Sequence, residues 1–172
     1  IVGSLAKRGY RVRVACRRPD LAGHVFFGVP GQIAFVQANL RYPASVAAAC
    51  EGAYAVVNAT GTDVSSGNQT FDAVITFGTE NMAKAARAAK AQLFLMISGL
   101  GAGDVENSAA AVAKGQAEIA AAKAFPGTIV LRPSVVFGSG DRFFNKMASM
   151  ARYSPVLPLI GGGAVPCQPV FV

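Results

Sequence analysis

Short apolar segments alternate with helix-forming segments along almost the whole chain, and this alternation constrains the fold more than any other feature. The apolar segments have the length and residue types of strands and comprise residues 12–16, 33–37, 54–59, 93–97 and 128–131. The helix-forming segments comprise residues 1–7, 43–50, 69–90 and 105–124. Strands and helices that alternate in this way form right-handed βαβ units, so the sequence predicts an α/β fold with a doubly wound parallel sheet.

The composition suits one domain of this class. The chain has 172 residues, of which 52% are hydrophobic and 15% charged, as expected when helices cover both faces of a sheet. No apolar run approaches the roughly 20 residues that a membrane span needs, and no signal-peptide pattern opens the chain. The chain begins within a helical pattern and ends within a strand pattern, QPVFV, which predicts an internal piece of a longer protein.

The cysteines and the histidine do not form a metal-binding pattern. Cys16, Cys50 and Cys167 are far apart in the sequence, and the chain has one histidine. We therefore predict no metal site, and expect buried thiols in a reducing compartment.

The carboxyl ends of the predicted strands should form the ligand-binding edge of the sheet, as they do in open parallel sheets generally. Small, polar or basic residues occupy most of these ends. Those that we predict to contact a ligand are Arg17, Arg18, Asn39, Leu40, Ala59, Thr60, Gly61, Ser98, Pro133, Val135 and Val136. The small residues at 59–61 would allow the ribose of a cofactor to approach the backbone closely.

Two arginines at the end of the second predicted element point to the cofactor. In a dinucleotide-binding fold, a carboxylate at this position accepts a hydrogen bond from the 2′-hydroxyl of NAD, whereas an arginine accommodates the 2′-phosphate of NADP. Arg17 and Arg18 occupy it here, with Asp20 beyond a proline, so the sequence predicts NADP(H). The alternative is that both arginines only solvate a strand end.

The net charge of +7 suits a polyphosphate, and we expect no nucleic acid because aromatic residues do not interleave with the basic ones.

Several segments in a fixed order resemble the short-chain dehydrogenase/reductase superfamily, in its extended or atypical branch. They are VRVACRRP, FVQANLRYP, AVVNATG, FGTENMAKAAR, LMISGLGA, AKGQAEIAAA and TIVLRPSVVFGSGDRF. The resemblance implies an NAD(P)-binding Rossmann fold that is incomplete at both ends, because the family's first strand and Gly-rich phosphate loop would precede Ile1. It also implies a partial NADP-binding domain over residues 1–152, with residues 153–172 leading towards a small C-terminal lobe.

The same resemblance assigns roles to a few site residues. The family carries Tyr-x-x-x-Lys on one helix face, where the lysine holds the nicotinamide ribose and lowers the tyrosine pKa. Lys114 fits the lysine, which places Ala110 at the tyrosine position, and an alanine cannot transfer a proton. Ser98 would be the hydroxyl partner, although Gly99 could fill that slot. Asn39 would face the adenine, or else cap the following helix or form a turn.

Within the superfamily, the segments NLRYP, ISGLGA and those from residue 129 onwards are similar to the nucleotide-binding accessory subunits of respiratory complex I. This resemblance implies a structural, non-catalytic NADP(H)-holding subunit whose partners are the other complex I subunits. It would lie peripherally at the cytoplasmic face of the bacterial inner membrane or on the mitochondrial matrix side. The alternatives are an NAD(P)-dependent reductase or sugar-nucleotide epimerase of the extended family, and an NADP(H)-sensing binding module.

Overall fold

Helices and parallel strands alternate in the computed structural model, which describes residues 1–22, 32–62, 64–104, 108–141, 143–154, 156, 160–164 and 166–172. The elements in chain order are α1 (Val2–Lys7), β1 (Val12–Cys16), α2 (Pro19–Ala22), β2 (Ile33–Gln37), α3 (Pro43–Cys50), β3 (Ala55–Asn58), α4 (Asp72–Thr76 continued by Phe77–Ala88), β4 (Leu93–Ile97), α5 (Ala109–Ala124), β5 (Ile129–Leu131), β6 (Val136–Phe137), α6 (Phe144–Tyr153), a 3₁₀ turn (Ile160–Gly163) and β7 (Val170–Phe171). The predicted α/β fold with parallel sheets is confirmed.

The described strands pair in three separate parallel groups. β1 pairs with β2, β4 lies between β3 and β5, and β6 pairs with β7. The pairings β1–β2, β3–β4 and β4–β5 each join consecutive strands that run parallel, so each requires a crossover connection from one end of the sheet to the other. The carboxyl ends of the strands in each group therefore lie at one edge, where the sequence predicts the ligand site.

The main core lies on one face of the β3–β4–β5 sheet, under α4 and α5. Phe94 and Met96 on β4 are buried there, and the Phe94 ring packs against Phe125 with the ring centroids 5.8 Å apart. Alanines with 0% exposure, Ala83 and Ala117 among them, let the two helices approach the sheet closely. This burial of small and aromatic side chains is the hydrophobic stabilisation that holds the site-bearing strands in place.

The contact between α3 and α4 is a second, smaller core. Val46 and Cys50 of α3 pack with Ala85 of α4, and Leu40 contributes a partly buried side chain. Arg13 on β1 donates through Nη1 to the carbonyl oxygens of Ala49 (2.9 Å) and Glu51 (2.7 Å), which satisfies the end of α3. These contacts fix α3 beside the β1–β2 pair.

The long predicted helix over residues 69–90 differs from the observed one at its beginning. Thr70 precedes it and accepts a hydrogen bond from the Ala73 N–H at 3.0 Å, as an N-cap side chain does. The first segment, Asp72–Thr76, is a π-helix, and the α-helix follows from Phe77. The wider turn of a π-helix shifts the residues that follow, which helical periodicity in the sequence cannot reveal.

The predictions on the cysteines, the last strand and the start of α5 have different outcomes. The expectation of buried thiols holds only for Cys50, since Cys16 is half-buried and Cys167 is exposed; all three are free. The strand pattern in QPVFV is confirmed as β7. The predicted start of α5 at residue 105 lies outside the described residues, and the helix is observed from Ala109. Within the described parts of the chain, no helix is both long and apolar enough to cross a membrane.

Candidate functional site

The end of β1 forms an open, basic concavity. It has a volume of about 670 Å³ and is lined by Cys16, Arg17, Arg18, Leu21 and Ala22. β1 ends at Cys16, and the two arginines follow where the backbone leaves the sheet. The structure thus places both predicted phosphate-binding arginines in one cavity.

The two arginines have different partners. Arg18 forms an ion pair with Asp20 at 3.0 Å, and this guanidinium lowers the pKa of the Asp20 carboxyl. Arg17 donates instead to a neutral acceptor, the side-chain Oε1 of Gln69, at 2.7 Å. The Asp20 carboxylate therefore offsets the charge of Arg18, whereas no carboxylate of the described residues pairs with Arg17.

A buried polar network shapes the end of β3. Asn58 and Thr79 are each 1% exposed, and the Asn58 Nδ2 donates to Thr79 Oγ1 at 2.8 Å. Asn58 Oδ1 accepts hydrogen bonds from the Thr60 backbone N–H (3.1 Å) and hydroxyl (2.5 Å). The predicted contact residues Ala59, Thr60 and Gly61 are exposed just beyond it. Asn58 was not predicted as a site residue, although an asparagine at the end of an apolar strand could have indicated it.

The residues after β2 are held by local contacts. Asn39 Oδ1 accepts a hydrogen bond from the Arg41 backbone N–H at 3.1 Å, which is the turn alternative considered for this residue. Leu40 packs against α4, where a Cβ added to Gly78 would lie 2.8 Å from Leu40 Cδ1. The role of Asn39 in adenine binding and the contact of Leu40 with a cofactor stay predictions.

Ser98 follows the carboxyl end of β4, and the side chain of Lys114 on α5 reaches the next residue, Gly99. The Lys114 Nζ lies only 3.0 Å from where a Cβ on Gly99 would be, and Ser98 donates its backbone N–H to the Leu131 carbonyl at 2.7 Å. No described residue forms a hydrogen bond or ion pair with Lys114 Nζ. Ser98 is 6% exposed, yet its hydroxyl has no hydrogen-bond partner of normal geometry. Lys114 Nζ therefore lies at this edge without a partner among the described residues, and the Ser98 hydroxyl lies beside it in the sequence at the end of β4.

Glu118 and Arg132 form an ion pair next to Ser98 that the sequence did not reveal. The Arg132 Nε donates to both carboxylate oxygens of Glu118 (3.0 and 3.2 Å), and Nη2 makes a further short contact. Glu118 is 9% exposed. The Arg132 guanidinium lowers the pKa of the Glu118 carboxyl, against the effect of burial, and the nearby Ser98 hydroxyl contributes in the same direction. Glu118 follows Lys114 by four residues, a spacing that places both on one face of α5.

Ala110 lies in the first turn of α5, one turn before Lys114. Ala110 and Lys114 therefore lie on the same face of the helix. Residue 110 carries only a methyl group and can supply no acid or base; that these two residues occupy the family's tyrosine and lysine positions stays a prediction.

The segment after β5 is arranged around Asp141. Its Oδ1 accepts hydrogen bonds from the backbone N–H groups of Phe143 (2.9 Å) and Phe144 (2.6 Å), which caps α6. Burial acts to raise the pKa of Asp141, but hydrogen bonds from the N–H groups at 145, 138, 144 and 143 outweigh it and lower the pKa. Pro133 and Val135 are half-buried before this cap, and Val136 is 41% exposed on β6. Their contact with a cofactor stays a prediction.

These groups fit a dinucleotide better than they fit a metal. Arg17 and Lys114 form no ion pair with a described residue, and their N–H groups are donors for phosphate and ribose oxygens. No group of three or more histidine, cysteine or acidic residues suited to a metal occurs in the described ranges. Parallel strands with cationic and small residues at their carboxyl edge define a dinucleotide-binding α/β domain.

Comparison with known proteins assigns the domain to a family. A family model described as NAD(P)H-binding matches residues 1–128, and the chain belongs to this family. It is similar to the mitochondrial NADH dehydrogenase [ubiquinone] 1 alpha subcomplex subunit 9 of Arabidopsis thaliana, with 31% identity over 100% of the chain and 44% of that protein. It is also similar to the ceramide reductase of Caulobacter vibrioides, with 31% identity over 93% of the chain and 49% of that protein.

Among solved structures, the chain resembles Pen from Bacillus thuringiensis with a TM-score of 0.74 and 21% identity, over 93% of the chain and 53% of that protein. This likeness confirms the fold. The chain spans about half the length of the curated relatives described above.

Proposed function

We propose that this chain is the nucleotide-holding part of an NADP(H)-binding accessory subunit of respiratory complex I, and that it has no independent catalytic activity. The observation that carries the proposal is Ala110 one turn before Lys114 on α5. The machinery that would hold a nicotinamide ribose is retained, while the group that would transfer a proton is missing. The 31% identity to a mitochondrial NADH dehydrogenase subunit over the whole chain supports the same role.

We propose that different residues along the edge of the sheet bind different parts of the nucleotide. Arg17 and Arg18 would bind the 2′-phosphate, and Asn39 would contact the adenine. Ser98 and Lys114 would bind the ribose next to the nicotinamide. The remaining predicted contacts, Leu40, residues 59–61, Pro133, Val135 and Val136, would line the path between these groups. When bound, the nucleotide would supply a hydride donor or acceptor, but the protein would supply no acid to use it.

The experiment that tests the partner is a native purification. The full-length protein is tagged in its own cell, the membranes are solubilised gently, and the co-purifying proteins are identified. Stoichiometric recovery with the other subunits of a respiratory NADH dehydrogenase would support the proposal and a peripheral position on the complex. Recovery as a free protein would overturn it.

The cofactor proposal has a separate test. NADPH and NADH are titrated into the full-length protein and into the double variant Arg17→Ala/Arg18→Ala. Charge-assisted contacts to the 2′-phosphate are worth about 1.5–3 kcal/mol each, so NADPH affinity should fall far more than NADH affinity. Equal losses for both nucleotides would refute the NADP(H) assignment.

A second candidate function is an NADP(H)-dependent reductase. It is favoured by the 31% identity to a ceramide reductase over 93% of the chain and by the retained pair of Ser98 and Lys114. This candidate requires a proton donor other than residue 110. Nucleotide oxidation that depends on a carbonyl substrate and disappears in Lys114→Ala would favour the reductase over the accessory subunit.

A further inference from the structure

A tight turn after β3 holds Gln69 at the tip of β1. The backbones of Ser66 and Gln69 exchange two hydrogen bonds (2.9 and 3.3 Å) across Gly67, whose φ of +52° suits glycine. Thr70, the next residue, accepts a hydrogen bond from the Ala73 N–H at the start of α4. Gln69 is therefore fixed from both sides, by the turn before it and by the helix cap after it.

From this fixed position the Gln69 side chain reaches Arg17. Its Oε1 accepts a hydrogen bond from Arg17 Nη1 at 2.7 Å, across 52 residues of sequence. A guanidinium has five N–H donors, and this contact uses one of them. The other four donors and the positive charge of Arg17 have no partner in the described part of the chain, so they can bind another anion.

The chemistry of the partner distinguishes Arg17 from Arg18. The carboxylate of Asp20 offsets the charge of Arg18, whereas an amide oxygen orients Arg17 without neutralising it. A long arginine side chain otherwise loses rotamer freedom when it binds a ligand. An amide that already restrains it reduces this cost without competing with a phosphate for charge.

We propose that Gln69 is a positioning residue that holds Arg17 for the 2′-phosphate and thereby sets the preference for NADPH over NADH. This inference rests on the proposed NADP(H) binding and deepens it. The opposite reading treats the same contact as a latch that must break before the nucleotide binds. When the Gln69 acceptor is removed, a positioning role predicts weaker NADPH binding, whereas a latch predicts stronger NADPH binding.

Titration calorimetry measures the affinity of NADPH and of NADH for the full-length protein. The same two affinities are measured for Gln69→Met and for two reference variants, Asn68→Ala and Arg17→Ala. Methionine keeps the length of the side chain and removes the acceptor. Because one arginine side chain must then be ordered on binding, NADPH affinity should fall roughly threefold to tenfold. NADH affinity should stay within about twofold of its original value, since NADH lacks the 2′-phosphate.

Asn68→Ala is the matched control. Asn68 lies in the same turn, but its described contact, a long one of 3.5 Å with Arg41 Nη1, uses the backbone carbonyl. This variant should leave both affinities unchanged, which separates the Gln69 side chain from a general disturbance of the turn.

Each remaining outcome decides against one of the two hypotheses. If Gln69→Met leaves NADPH binding unchanged, strengthens it, or weakens both nucleotides equally, the positioning role is refuted. Arg17→Ala separates this failure from that of the proposed function. If Arg17→Ala lowers the ratio of NADPH to NADH affinity but Gln69→Met does not, only the positioning role fails. If Arg17→Ala does not change the ratio, the assignment of Arg17 to the 2′-phosphate fails as well.

Discussion

Gly115 on α5 is the position where a single methyl group should disturb the site most. A Cβ added there would lie 2.6 Å from the Gly103 Cα and 2.8 Å from the Gly103 nitrogen. Carbon atoms in contact are normally about 3.5–4.0 Å apart, so the helix and the loop after β4 would have to separate by roughly 1 Å. Both sides of this contact are backbone, and no side chain can rotate away to relieve it.

Two effects oppose each other in Gly115→Ala. Alanine in a helix interior is favoured over glycine by about 1 kcal/mol, whereas overpacking of a close contact costs about 1–3 kcal/mol. Because the overlap is between backbone atoms, we expect the upper part of that range and a net destabilisation of about 1–2 kcal/mol. The same shift would strain the hydrogen bond from the Gly103 N–H to the Ala111 carbonyl (2.8 Å), which ties this loop to α5 near Lys114.

Urea denaturation of the full-length protein, followed by circular dichroism, measures the change in the free energy of unfolding. The matched control is Gly3→Ala in α1, where an added Cβ meets no described atom within 4 Å. The control should be neutral or stabilised by up to about 1 kcal/mol, from helix propensity alone. If Gly115→Ala is stabilised to the same extent as this control, α5 and the loop are not in the close contact described here.

Two further predictions concern polar groups at the sheet edge. Asn58→Ala should lower the free energy of unfolding by about 2–3 kcal/mol, because it leaves the buried Thr79 hydroxyl without its 2.8 Å partner. Denaturant titration measures this loss. A loss below about 0.5 kcal/mol would contradict the prediction, since substitutions at the surface alone reach that size. Arg132 is the main cause that lowers the pKa of Glu118 on folding. The ionised carboxylate therefore stabilises the fold fully at a pH above the ordinary glutamate pKa of 4.5. This contribution is lost as the pH falls through the lowered pKa of the folded state. The stability difference between the unaltered protein and Glu118→Gln should therefore shrink on acidification below pH 4.5, and a difference that stays constant there would refute the assignment.

The class of fold could be predicted because it depends on local patterns. Alternating polarity in residues 12–16 indicates a half-buried strand, and the structure has β1 over the same range. The helix over 43–50 was likewise predicted with its observed bounds, since Pro43 marks the first turn. The pairing of Ala110 with Lys114 on one face follows from helical spacing alone.

The contacts between distant segments could not be predicted in this way. The hydrogen bond from Arg17 to Gln69 joins the end of β1 to the turn before α4, and the ion pair of Glu118 with Arg132 joins α5 to the end of β5. The close approach of Gly115 to Gly103 depends on how a loop lies against a helix. Helical and strand periodicity concerns residues that are close in the sequence, so it does not predict contacts between residues that are far apart in it.

The sequence by itself determined the order of strands and helices, the parallel pairing of the strands, the basic end of β1 and the position of Ala110 one turn before Lys114. These features depend on neighbouring residues and on a fixed helical or strand repeat. Only the tertiary structure decided that Arg17 meets the neutral amide of Gln69, that Glu118 pairs with Arg132, and that the Lys114 ammonium lies beside Gly99. The physical reason is that charge compensation and hydrogen-bond satisfaction depend on distances in space, which the packing of the whole domain sets.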